Sequence, residues 1–216
     1  MLPLLFILTT VAAIVLFFRA SGNNRQVAVF FSGWAVVIAG LSWKGFFQQT
    51  TAPPPRMLVV LVPAVIAVVY FYRLLRRRDV TARQLLWVHV VRIPVEYVLY
   101  RLFLEGAVPR SMTFAGYNLD ILSGISALLL ALYLIFSGKA LPHRLFLAWN
   151  VAAMVLLIVI VVIAIISAPS PIQLLAFEQP NRAILLFPYT LLPAIVVPLI
   201  LLSHLLVLKK ERISRW

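Results

Sequence analysis

The chain has 216 residues, 63% of them hydrophobic and only 12% charged, with a mean hydropathy of +1.04. Soluble domains run about 45–50% apolar and about 25% charged, so a water-soluble core would be unable to hide this much apolar surface. There is no cysteine, which excludes disulfides and thiolate metal sites, and the formal charge of +13 sits almost wholly at the ends of apolar stretches. Lysine and arginine there set topology and meet anionic lipid, so the expected surroundings are a bilayer and not nucleic acid.

Seven stretches reach the roughly 17–25 mainly apolar residues that a crossing needs. They lie near 2–18, 27–43, 57–75, 85–103, 119–137, 145–167 and 184–208. The expected fold is all-α: one transmembrane domain over residues 1–216, a bundle of seven helices. Short connections carry the turn formers, such as Ser21-Gly22-Asn23-Asn24, Pro53-Pro54-Pro55, Gly138-Lys139 and Ala168-Pro169-Ser170-Pro171.

Basic residues orient the bundle. One side carries Arg19, Arg25, Arg73, Arg76, Arg77, Arg78, Arg83, Lys139, Arg144, Lys209, Lys210, Arg212 and Arg215, and the other Lys44, Arg56, Arg101, Arg110 and Arg182. The richer side is expected in the cytoplasm, with the N-terminus outside and the C-terminus inside, in a cell (inner) membrane. Arg19 follows the first apolar run and no basic residue precedes it, the reverse of a signal peptide.

In the first half, Ala35 and Ala39 give the second span a weakly small-faced surface suited to packing. The fourth span then reads Leu85-Leu86-Trp87-Val88-His89-Val90-Val91-Arg92-Ile93-Pro94-Val95-Glu96-Tyr97-Val98-Leu99-Tyr100-Arg101. At ~100° per residue, His89, Glu96 and Tyr100 fall within about 20° of one line, with Arg92 about 60° to the side. Charges inside a bilayer face a protein interior or a water-filled cavity, which makes this stripe the leading site. Arg92 and Glu96, four apart, are expected to pair along the helix, and Pro94 is expected to kink it. A structural clamp between helices is the alternative reading of the same residues.

An outer polar cluster is expected from Arg110, Asn118, Asp120, Glu178, Asn181 and Arg182. Asp120 opens the fifth span, where a helix N-terminus favours an acid. Ser123, Gly124, Ser126 and Ala127 make that helix small-faced. Ser170-Pro171 is expected to start a short surface helix through Ile172, Leu174, Leu175 and Phe177. In the last span Pro188, Pro193 and Pro198 recur every five residues, each freeing a carbonyl, as in the broken helices that line transporter cavities.

His204 and His89 each stand four residues from the inner end of their spans, about 6 Å deep at 1.5 Å per residue, and Asn150 shares that layer. Two imidazoles at one depth would suit a haem iron or a quinone, so haem is a possible cofactor. No metal set is specified. Several known sites are absent from the sequence: a lysine in the seventh span for a retinal Schiff base, a His-Glu-x-x-His zinc motif, a rhomboid-like serine motif, a Pro-Gln dipeptide and a glycine-rich phosphate loop.

Three stretches together resemble a family of small bacterial multi-pass membrane proteins of uncharacterised function. They are Gly45-Phe46-Phe47-Gln48 with Pro54-Pro55-Arg56, then His89 to Glu96 through Met112-Thr113-Phe114 to Asn118-Leu119-Asp120-Ile121, then Phe177-Glu178-Gln179-Pro180-Asn181 through Phe187-Pro188 and Leu192-Pro193 to Ser203-His204. The family pattern has an acid and a base where this chain has Ala115 and Tyr117. The resemblance implies a bacterial multi-pass protein and supplies no activity.

The leading expectation is a polar intramembrane core of His89, Arg92, Glu96, Tyr100, Asn150 and His204 that binds or passes a small solute or proton. Glu96 is the protonatable group in that reading, and Arg92 its counter-charge. A redox protein using His89 and His204 is second. Third is a non-catalytic subunit, with a membrane-protein partner or a second copy against its lipid-facing sides. No nucleophile points to an intramembrane enzyme.

Overall fold

The computed structural model describes residues 1–51, 54–78 and 80–209. Pro53, Lys210, Arg212 and Arg215, used above for a loop and for orientation, lie outside the described residues. The described chain is all-α, without a strand: α1 (Leu2–Ala20), α2 (Arg25–Trp43), α3 (Leu58–Leu75), α4 (Ala82–Val90), α5 (Arg92–Leu104), α6 (Asp120–Ser137), α7 (His143–Ile166) and α8 (Val197–Lys209). Helices α4 and α5 form one broken rod, so the rods number seven.

Five helices, α1, α2, α3, α6 and α7, are long and apolar enough to cross a membrane. Large apolar side chains cover their outward faces, for example Leu4 and Leu8 on α1, Ile66 on α3, Leu129 on α6 and Val155 on α7. Helix α8 is the centre of the bundle. It packs against α1, α3, α4 and α7 and buries Leu199, Leu202, Ser203, His204 and Leu206.

The fourth rod is interrupted at one residue, Val91, which keeps helical dihedrals (φ -57°, ψ -22°), as the kink expected from Pro94 implies. Pro94 has no N–H and its ring crowds the carbonyl of Val90, so the helical ladder cannot continue there. The Val91 amide turns back to Val88 O at 3.4 Å, and α5 restarts at Arg92. The seventh rod also departs from the expected span at 184–208. Residues Ala183–Leu185 form a 3₁₀ turn, Leu186 is extended, and the Phe187–Pro188 peptide is cis. Regular winding then begins with a π-helical turn, Leu192–Val196, which leads directly into α8. A wider turn of this kind accommodates Pro193 and Pro198, whose missing N–H groups would leave gaps in an α-ladder. Thr190 repairs the entry: its hydroxyl donates to Leu186 O at 3.2 Å and lies 2.8 Å from Ser42 Oγ of α2.

Connections 44–57, 105–119 and 167–190 gather at one end. The Arg182 and Ala183 amides donate to Ala107 O, and Gln179 Nε2 donates to Phe103 O and Val108 O. The short helix expected at 172–177 does not form. The Leu174 and Leu175 amides both donate to Ile166 O, and Ala176 takes a left-handed φ of 58°. The chain therefore folds back on the end of α7.

Small residues on α6 permit its approach to α5. A methyl group added at Gly124 would stand 2.9 Å from Ile93 Cγ1 and 3.2 Å from Arg92 Cβ. Gly33 of α2 has nothing within 4 Å of that position. Gly124→Ala is therefore expected to destabilise the fold by about 1–3 kcal/mol through overpacking. Gly33→Ala is expected to stabilise it by roughly 0.5–1 kcal/mol through backbone entropy. Thermal unfolding of the two variants in detergent checks the opposite signs.

Candidate functional site

The α5–α6 contact places a charged side chain in the interior. Arg92 begins α5, is only 1% exposed, and is the largest fully buried side chain among the described residues. A guanidinium offers five N–H donors and accepts nothing, so its surroundings must supply acceptors. Nη1 donates to Asp120 Oδ1 at 2.7 Å and to the Ala153 carbonyl of α7 at 3.1 Å. Nη2 lies 2.6 Å from His204 Nε2 of α8. One side chain thus ties α5 to α6, α7 and α8.

The expected Arg92–Glu96 pair does not form. Arg92–Asp120 is the salt bridge found among the described residues. Close packing at Gly124 brings Asp120, one turn earlier on α6, to the guanidinium. Glu96 takes a different partner, accepting from Asn118 Nδ2 at 2.6 Å. Asn118 is fully used: its second amide hydrogen goes to Met112 O at 3.0 Å, and its Oδ1 accepts from the Asp120 amide at 3.0 Å. The loop before it is held tight by Gly116, where an added Cβ would collide with the Arg110 and Ser111 backbone.

Donor logic assigns the tautomer of His204. Arginine only donates, so Nε2 must accept and the proton must sit on Nδ1. Nδ1 then donates to Asn150 Oδ1 at 2.8 Å, and Asn150 Nδ2 returns a bond to the His204 carbonyl at 3.2 Å. The His89 ring lies 4.3 Å from the His204 ring, tilted by 36°, and meets the Trp149 edge at 5.4 Å. Both His89 nitrogens are buried without a hydrogen-bond partner, as is Arg92 Nε.

These contacts make one string, Glu96–Asn118–Asp120–Arg92–His204–Asn150, with His89 stacked at its far end. Five of the six residues expected in the polar core meet there. Tyr100 does not: one turn beyond Glu96 on α5, it stacks on Phe114 at 4.6 Å. The expected outer cluster also divides. Asn118 and Asp120 belong to the core. Arg110 donates to Ala115 O near the surface, and buried Asn181 donates to Ala164 O at 3.3 Å. Glu178 and Arg182 are exposed.

The histidines are neighbours, as a shared layer allowed, but they do not form an axial pair for haem. Their rings overlap at 4.3 Å with no gap for a macrocycle, and both His204 nitrogens are engaged. No group of three or more metal-binding His or acidic side chains occurs among the described residues. Sequence reasoning missed the Ala153 and Met112 carbonyls, since main-chain acceptors carry no residue signature.

Residues 54–210 match a family model described as a domain of unknown function, DUF8737. The chain belongs to that family. Every member of the string falls within the matched residues, while α1 and α2 precede them. No curated protein matches the chain, and no solved structure does. The expected membership of a family without an assigned activity is met at that level.

Removing one partner from a buried ion pair strands the other charge, at a cost of about 3–5 kcal/mol, whereas apolar replacement of both is often neutral or better. Asp120→Ala is therefore expected to destabilise the protein by that amount. The double variant Arg92→Met/Asp120→Leu is expected to recover most of it. Equilibrium unfolding in mixed detergent micelles measures both.

Proposed function

We propose that the chain is a multi-pass protein of a bacterial inner membrane, crossing it with seven helices, and that its buried string relays protons. The five long apolar helices, their apolar outward faces and the basic residues at one set of ends support the membrane setting. The N-terminus is then outside and the C-terminus cytoplasmic. The observation that carries the relay is the run of buried polar contacts from Glu96 to His204, joined between Asn118 and Asp120 through the Asp120 main-chain amide, with ionisable groups on both sides of Arg92. Ionisable residues at membrane depth mark ion pathways and proton relays.

Arg92 couples the two sides. A proton on Asp120 cancels the charge that holds Nη1. A proton on His204 Nε2 converts an acceptor into a donor facing a donor and expels Nη2. Either event moves the guanidinium, so proton occupancy on the carboxylate side is felt on the imidazole side. His89, unpartnered beside His204, is placed to exchange a proton when its ring turns. Direct side-chain contacts of 2.6–2.7 Å join Glu96 to Asn118, Asp120 to Arg92 and Arg92 to His204, so a change of charge at one group is felt at the next.

The test is proton flux into proteoliposomes under an imposed potential, read with a trapped pH dye. Wild-type protein is expected to conduct above protein-free vesicles. Glu96→Gln keeps an acceptor for Asn118 but cannot ionise, and is expected to reduce flux to the protein-free level. Wild-type flux equal to that of empty vesicles, or undiminished flux in Glu96→Gln, would sink the relay.

A further inference from the structure

A cavity lies away from the polar string. Helices α3 and α7 both pack on the seventh rod without closing over it, which leaves a groove of about 480 Å³. Val65 and Val69 of α3 form one wall, Val161 and Ala164 of α7 the other, and Pro193 and Val197 the floor. Ligand sites usually enclose about 300–1,000 Å³ and are mostly apolar with a few placed polar groups. Here the polar groups stand together at the end carrying the long connections. Arg56 and Ser170 line the groove there.

Arg56 is held in place rather than free to wander. Its Nη1 donates to Phe46 O at 2.9 Å, and its guanidinium lies over the Phe46 ring, 4.6 Å from the centroid. Among the described residues no carboxylate pairs with it. The Ser170 hydroxyl is enclosed and lacks a hydrogen-bond partner. A fixed cation without a counter-charge and a spare hydroxyl, at the mouth of an apolar channel, match an amphiphile with an anionic head. Stacked guanidinium suits phosphate, because its fork meets two oxygens at once.

We infer that the groove between α3 and α7 holds one acyl chain of an anionic phospholipid, with the headgroup phosphate at Arg56 and Ser170. The inference rests on the membrane setting proposed above and is independent of the proton relay. The occupant comes from the leaflet at that end of the bundle. The lipid would seal the side of the proline-broken rod, where the regular ladder is interrupted and a dry cover is needed.

The experiment is native mass spectrometry of detergent-purified protein with phosphatidylglycerol or phosphatidylcholine of identical acyl chains. Wild type is expected to retain one phosphatidylglycerol with about fivefold preference, the ratio that one arginine near an anionic headgroup supports. Arg56→Ala is expected to lose the preference and Arg56→Lys to keep most of it. Ala164→Phe, which fills the groove, is expected to lose both lipids; Val65→Trp fills it from the other wall should the first variant not fold, as judged by circular dichroism. Equal retention of the two lipids by wild type overturns the inference, as does unchanged preference in Arg56→Ala or full retention in a folded groove-filling variant. Partition in a phase-separating detergent separates the two failures. Protein in the aqueous phase overturns the membrane setting along with the lipid site, whereas protein in the detergent phase without lipid preference overturns the lipid site alone.

Discussion

Burial of the Arg92 guanidinium constrains the rest of the interior. An arginine cannot shed its charge under ordinary conditions, so an interior that contains it must provide acceptors from several directions. Those acceptors come from three helices: Asp120 on α6, the Ala153 carbonyl on α7 and His204 on α8. Each demands its own support. Asp120 needs the close approach at Gly124, His204 needs Asn150 to hold its other nitrogen, and Asn118 occupies the nearby Glu96. The polar groups form a chain because satisfying one exposes the need of the next.

The two broken rods serve this arrangement. Arg92 stands just after the interruption at Val91, and its side chain reaches across to α6, α7 and α8. The π-helical turn at Leu192–Val196 resets the winding just before α8, whose His204 then meets the string. Prolines 94, 193 and 198 sit at or near these interruptions. Their cost in backbone hydrogen bonds is local, and their effect on side-chain direction extends across the bundle.

Much of this was legible in the sequence, and the gaps have physical causes. Helix count and order followed from apolar run length, and the meeting of His89, Arg92, Glu96, Asn150 and His204 in the interior followed from the cost of leaving polar groups of apolar spans in lipid. Partner choice did not follow. A spacing of four favoured Arg92–Glu96, but a tertiary contact through Gly124 delivered Asp120 instead, and local spacing carries no information about that. Asp120 read as a helix cap because it opens a helix, yet it is buried against Arg92. The helix expected at 172–177 failed because the Ile166 carbonyl, freed at the end of α7, captured two of its amides.

Arg92 bridges an acid and a neutral imidazole whose proton sits on Nδ1. Solid-state ¹⁵N spectroscopy of histidine-labelled protein in lipid tests it directly, with His204 assigned by comparison with His204→Gln. A protonated Nδ1 and an unprotonated Nε2 are expected at His204, with the unprotonated resonance changed in Arg92→Met. A His204 ring protonated on Nε2, or one indifferent to the loss of Arg92, would contradict it.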